Sequence, residues 1–358
     1  MLEARAAVQS LHSYRPPLAG RQGLRLDFNE STIGCSPRVL DRLRALDGEA
    51  LARYPEREPV EREVAEFLGL DAGQVLLTNG VDEAIHLLCS TYLEPGDEAI
   101  IVVPTFAMYA IFAQAEGARV IPVFSGEGSA FPLDDLLSRI SLRTRLIAMA
   151  NPNNPTGAAV PCEVLLQVAR AAPRAAVLVD EAYFEFHGAT ILAHRERPEN
   201  LFVARTFSKA YGLAGLRIGI LAGDASQVGM VRRVASPYNV NAVALAVLPE
   251  ALRDRAYVDR YVDEVKRGRS SLEQELAALG LRYWPSRANF VLVRIGPAHM
   301  EFIQALRARG ILVRDRDSDP GCEGCVRLTV GSLEHTRALI GALREVVEKR
   351  EGHREVRA

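Results

Sequence analysis

Five short apolar runs constrain this chain more than any other feature: VLLT (75 to 78), AIIVV (99 to 103), LIAMA (146 to 150), AVLVD (176 to 180) and LFVART (201 to 206). A strand with one face in water alternates apolar and polar residues, whereas these are apolar nearly throughout, so both faces must be covered. Helical patterns lie between them, among them DEAIHLLCSTYL (82 to 93) and CEVLLQVARAA (162 to 172). Buried strands alternating with helices predict an α/β fold on a mostly parallel sheet. After about Asn241 the pattern changes to a long, charged, amphipathic helix through RAYVDRYVDEVKRGRSSLEQELAAL, then ANFVLVRI, a helix at 298 to 309, GILVR and VRLTV. That order predicts a smaller α+β domain. Residues 1–37, rich in Pro, Arg and Gly, have little core of their own and are expected to pack on another element or subunit. The predicted organisation is an arm (1–37) that contributes to the small domain and to a dimer interface, a large domain (38–240) and a small domain (241–358).

A length of 358 residues with 48% apolar content can fill the core of such an arrangement. The 43 Lys plus Arg nearly balance the 45 Asp plus Glu, giving a formal charge of −2, so nothing favours nucleic acid or an anionic membrane as partner. A small molecule is the expected ligand. Of the five cysteines only Cys322 and Cys325 have a Cys-x-x-Cys spacing. With neither a second pair nor nearby histidines the four ligands of structural zinc are not assembled, so no metal is expected and the thiols are read as reduced. The first ten residues, MLEARAAVQS, contain no apolar signal segment, and no apolar run approaches the ~20 residues that cross a bilayer. The expected location is the cytoplasm.

Chemistry concentrates in four segments. In RTFSKAYGLAGLRIG (205 to 219) Lys209 follows two hydroxyl residues, Thr206 and Ser208, and precedes Arg217 by eight positions. An isolated lysine is a surface charge; one accompanied by hydroxyls and a bidentate guanidinium has the equipment for a Schiff base beside a bound phosphate. In AVLVDEAYFEF an apolar strand ends in Asp180, with Tyr183 three residues on. Ligands of open α/β sheets bind at the carboxyl ends of strands, where Asp180 either caps the next helix or pairs with a cation such as a protonated pyridine nitrogen. NPNNPTG (151 to 157) is a rigid turn that could also present the Asn154 amide to a ligand, and Tyr183 could reach the same ligand oxygen. In LLTNGVDEAIHLL the backbone amides of Gly80, Val81 and Asp82 open a helix after a strand, which is either an ordinary helix start or an anion site.

RYPE, NGVDEAIHLL, PTFAMY, NPNNPTG, VDEAYFEF, RTFSKAYGLAGLRIG and CVRLTVGS together, in this order and over nearly the whole chain, resemble the histidinol-phosphate aminotransferase family of fold-type I, pyridoxal-phosphate-dependent enzymes. The resemblance implies a fold-type I PLP-transferase: a large PLP-binding domain on a mostly parallel sheet and a smaller α+β domain. It implies pyridoxal 5'-phosphate as cofactor, Lys209 as internal aldimine and proton shuttle, Asp180 on the pyridine nitrogen, and Tyr183 and Asn154 on the phenolic oxygen. Phosphate contacts would come from Gly80, Val81, Asp82, Thr206, Ser208 and Arg217. Tyr54 would reach the phosphate from the neighbouring subunit of a homodimer to whose interface the arm contributes. Phe106, where the family has tyrosine, would stack on the ring, since stacking needs only the aromatic face.

For the substrate, the resemblance implies Arg327 as an anion-binding arginine, Arg314 as a second, and Tyr14, Arg15 and Asn29 as further contacts. Two guanidinium groups suit a phosphate dianion. The implied reaction converts histidinol phosphate and 2-oxoglutarate to imidazole acetol phosphate and glutamate, in histidine biosynthesis. An aromatic or broad-specificity aminotransferase would use the same catalytic set, and a phosphothreonine-type decarboxylase would share the lysine, the aspartate and the phosphate arginines. A cofactor-sensing transcription regulator would need a DNA-binding module that the short arm cannot hold.

Overall fold

The computed structural model describes residues 2–11, 13, 17–194 and 196–355. Twelve strands form two sheets: β1 (Leu24–Leu26), β2 (Val75–Thr78), β3 (Glu98–Val103), β4 (Arg119–Phe124), β5 (Thr144–Ala150), β6 (Ala176–Asp180), β7 (Leu201–Thr206), β8 (Gly219–Ala222), β9 (Arg282–Trp284), β10 (Phe290–Arg294), β11 (Ile311–Asp315) and β12 (Cys325–Thr329). The larger sheet has the order β2-β8-β7-β6-β5-β3-β4. Its pairings are parallel except those of β8, which runs antiparallel to both β2 and β7. All five apolar runs are strands of this sheet, and β2, β6 and β7 are buried along their whole length, as strands sandwiched between helices must be.

Two strands of the larger sheet escaped the sequence reading. β4, RVIPVF, lies at the edge beside β3 and is only partly buried, and the Pro122 inside its apolar run argues against a strand. Pro122 is tolerated there because an edge strand has one side without a ladder. β8, GILA, is short and is the return limb of the β7 connection, which places the Phe207–Ile218 loop at the end of the sheet where the parallel strands terminate.

The smaller sheet has the order β1-β11-β12-β10-β9. Its strands pair antiparallel except β1, which adds to β11 in parallel, with Leu24, Arg25 and Leu26 opposite Ile311, Leu312 and Val313. The N-terminal segment thus joins a sheet built from the last third of the chain. The charged pattern after Asn241 contains two helices. The first, Ala242–Arg253, packs on the helices Pro37–Arg44 and Glu58–Leu68. The second, Arg255–Ala278, packs on β9, β10 and the helix Leu333–Glu355. Asp254 ends the first helix and starts the second, and its carboxylate accepts a hydrogen bond from Ser36 Oγ. No helix among the described residues is long and apolar enough to cross a membrane.

Candidate active site

β5, β6 and β7 end at one level, in Ala150, Asp180 and Thr206, and the helix Gly80–Tyr92 starts beside them where β2 ends. A cavity of about 320 Å³ opens there between the two sheets. Its walls come from these strand ends, the β7–β8 loop, the Phe28–Glu30 segment that leaves β1, and Arg314, Arg316 and Arg327 of the smaller sheet.

Lys209 enters from the β7–β8 loop, and its Nζ donates to the Phe28 carbonyl at 2.9 Å. Burial, reinforced by the Arg327 and Arg217 charges and opposed by Glu30 and Asp82, lowers this ammonium from 10.5 to about 8. Asp180 is 5% exposed. Its Oδ2 accepts from the Tyr109 hydroxyl at 2.5 Å and its Oδ1 from the Ala182 N–H at 2.9 Å. Burial pushes this carboxyl up to about 6, while those two donors pull it down by favouring the charged form. Among the described residues no ion pair reaches Asp180, so the buried carboxylate is set for a cation from outside the chain. The capping possibility is resolved in detail: Asp180 binds the N–H two residues on, but Tyr183 is the residue that begins the helix Phe184–His187.

The Tyr183 hydroxyl accepts from Asn29 Nδ2 at 2.9 Å, and its ring meets Phe290 edge-on at 5.0 Å. Burial raises the phenol, with Arg327 and the Asn29 bond opposing. Asn29 is itself fixed: its backbone N–H donates to Thr329 Oγ1 at 3.1 Å, and that hydroxyl donates to Asn29 Oδ1 at 2.9 Å. Asn154, in the turn after β5, accepts at Oδ1 from Arg327 Nη1 at 2.5 Å. Arg327 also donates to the Asp27 carbonyl at 2.7 Å and lies over the Phe290 ring. Arg314 lies over Phe28, 5.0 Å from the ring centroid.

An anion cup occupies one end of the cavity. Gly80 has φ +78, and a Cβ there would meet Arg217 Nη2 at 2.7 Å, so only glycine lets the guanidinium close over the first turn of the helix. Arg217, also left-handed at φ +52, donates to Asp82 Oδ2 at 3.1 Å. Thr206 Oγ1 accepts from the Ser208 N–H at 3.1 Å, and among the described residues Ser208 Oγ is buried with no partner. Unpaired helix amides, two hydroxyls and a guanidinium match the donors a phosphate group needs. Together with a desolvated lysine and a buried carboxylate awaiting a cation, these residues fit a phosphorylated pyridine aldehyde.

The cavity therefore brings together Val81, Asp82, Phe106, Asn154, Asp180, Tyr183, Thr206, Ser208, Lys209, Arg217, Asn29, Arg314 and Arg327 from among the expected residues, with Gly80 against Arg217 behind it. Tyr54 is not in its wall: it is 78% exposed and stacks on Tyr238 with ring centroids 4.3 Å apart. Tyr14 and Arg15 lie outside the described residues. Sequence reasoning missed Tyr109, Phe28, Glu30 and Arg316. Arg316 had a legible signal, because it stands two residues beyond Arg314 and a strand's alternation puts such residues on one face. Tyr109 had none, since a tyrosine in an apolar helix reads as core.

Comparison with known proteins agrees with this geometry. The family "Aminotransferase class I and II" matches residues 21–343. A histidinol-phosphate aminotransferase of a Nostoc species is 33% identical over 353 residues, covering 97% of this chain and 99% of its own length. The counterpart from Caldanaerobacter subterraneus is 36% identical over 82% of this chain and 83% of its own. Among solved structures, the histidinol-phosphate aminotransferase of Sinorhizobium meliloti in complex with pyridoxal-5'-phosphate superposes with a TM-score of 0.86 at 25% identity, covering 98% of each chain. With a family match across most of its length and a site built from that family's chemistry, this chain belongs to the class I and II aminotransferases.

Proposed function

We propose that the protein transfers the amino group of histidinol phosphate to 2-oxoglutarate, with pyridoxal 5'-phosphate as cofactor, in histidine biosynthesis. The observation that carries this reading is that three arginines, Arg314, Arg316 with its ion-pair partner Asp319, and Arg327, line the same cavity as the anion cup at Ser208 and Arg217. One anion site serves the cofactor phosphate. The other suits a second dianion, and the distal carboxylate of glutamate can use the same guanidinium groups.

The residues would act as follows. The Gly80–Asp82 amides, Thr206, Ser208 and Arg217 hold the cofactor phosphate, Phe106 lies against the ring, and Tyr183 with Asn154 donates to its phenolic oxygen. Asp180 keeps the ring nitrogen protonated. So held, the cofactor supplies an electron sink for the charge that develops at the substrate carbon bearing the amine. Lys209 Nζ, with a pKa of about 8, would be free often enough near neutrality to act as the base that takes and returns the proton of the substrate carbon. Arg327 anchors the substrate anion, and its bond to Asn154 ties substrate recognition to the cofactor's oxygen partner.

We further propose a cytoplasmic homodimer in which Tyr54 reaches the partner's cofactor phosphate, and a division into an arm (1–37), a large PLP-binding domain (38–240) and a small domain (241–358). Tyr14 and Arg15 of the arm are proposed to close over the substrate. Steady-state kinetics test the substrate assignment: histidinol phosphate should be turned over with a kcat/KM at least a hundred-fold above that of phenylalanine, and Lys209→Ala should turn over neither. A preference for phenylalanine would make this an aromatic aminotransferase, and release of carbon dioxide would make it a decarboxylase.

A further inference from the structure

Tyr109 lies in the helix Met108–Ala115, entirely buried, with its hydroxyl on Asp180 Oδ2 at 2.5 Å and its ring edge-on to Phe106 at 5.9 Å between centroids. A phenol in such a place is expensive. Packing alone would be met more cheaply by phenylalanine, because the hydroxyl has to be stripped of water, and it spends its donor on Asp180. Two further observations give that bond a purpose. Asp180 has no ion pair among the described residues, so within the chain its charge is supported by Tyr109 and the Ala182 N–H. Those two donors take one oxygen each, which fixes the carboxylate's plane as well as its charge. Tyr109 also braces Phe106, which supplies the aromatic face in the same cavity.

We infer that Tyr109 is a positioning residue for the transamination, holding Asp180 in the orientation and ionisation that a protonated ring nitrogen requires while its ring edge sets the height of Phe106. The inference rests on the pyridoxal-phosphate reading above and assigns to that site a residue that touches neither cofactor nor substrate. It acts only through Asp180 and Phe106.

The test is a double-mutant cycle of Tyr109→Phe with Asp180→Asn, read by equilibrium dialysis of pyridoxal 5'-phosphate, steady-state kinetics and melting of the apoprotein. Tyr109→Phe keeps the edge contact and deletes only the hydroxyl. It should weaken cofactor binding and lower kcat by on the order of ten- to hundred-fold, the usual effect of losing a hydrogen bond to a charge, with KM for the amino donor nearly unchanged. In the Asp180→Asn background the same change should have less than a two-fold effect. Equal effects in both backgrounds, or wild-type affinity and kcat in the single variant, would overturn the inference. If Tyr109→Phe does not accumulate as folded protein, 4-fluorophenylalanine at position 109, which keeps the ring edge and lacks a donor, takes its place in the same cycle and is judged by the same outcomes. Failure of wild-type protein to bind the cofactor would instead refute the cofactor reading, so the two failures are distinct.

Discussion

Lys209 shows how position changes the chemistry of a residue. An amine that titrates near 10.5 in water falls to about 8 here because burial and the Arg327 charge both disfavour its protonated form. The sign is that of a base with a depressed folded pKa: below pH 8 the fold holds a charge it disfavours, and apoprotein stability rises with pH between 8 and 10.5. Attack on the cofactor aldehyde needs the neutral amine. Loading of pyridoxal 5'-phosphate onto apoprotein should therefore accelerate about ten-fold per pH unit and level off near pH 8, followed by absorbance in stopped flow; a plateau delayed to pH 10 would show an unperturbed lysine. At this scale the sequence was most legible, because Lys209, Asp180, Tyr183 and Asn154 each sit in a local motif whose residues share a strand end. Tyr109 and Glu30 were not, since the groups they act on, Asp180 through a hydrogen bond and Lys209 through Glu30's charge, lie far along the chain and only tertiary packing brings them near.

Turns and strand ends do the positioning. The Asn151–Gly157 turn carries Asn154, and its last residue has φ +72 with no room for a side chain: a Cβ on Gly157 would lie 2.2 Å from Ser286 Oγ and 2.9 Å from Ser286 Cα. The Gly157 carbonyl accepts from the Arg287 N–H at 2.8 Å, so this turn fastens the end of β5 to the segment that leads into β10. Gly157→Ala should cost about 1–3 kcal/mol and lower the melting temperature by several degrees. It should also raise KM through displacement of Asn154 from Arg327; unchanged melting and kinetics would show that the contact yields freely. The element pattern was readable where strands are buried on both faces, as in β2, β6 and β7. It was unreadable for β4, whose run carries Pro122 at the sheet edge, and for β8, whose four residues start with Gly219 and are followed by Gly223, so that they read as loop.

The whole molecule joins its chain ends at the site. β1 completes the C-terminal sheet by pairing with β11, some 290 residues away in sequence, and so delivers Phe28, Asn29 and Glu30 into the cavity opposite Arg327. Nothing in the arm's composition announces that pairing, because a three-residue strand carries no pattern of its own. At this scale Tyr54 makes the assembly testable: it is exposed beside Tyr238, and in the proposed dimer its hydroxyl lies on the partner's cofactor phosphate. Tyr54→Phe, which keeps the stack, should leave the sedimentation of a dimer unchanged and weaken cofactor binding several-fold; wild-type affinity in this variant would remove Tyr54 from the site. The central claim, that Lys209 carries the cofactor, can be tested directly because the chain has only three lysines, Lys209, Lys266 and Lys349. Borohydride reduction of the cofactor-loaded protein, followed by peptide mass spectrometry, should place one phosphopyridoxyl group on Lys209. Its absence from Lys209, or its recovery on Lys266 or Lys349 alone, would contradict the account.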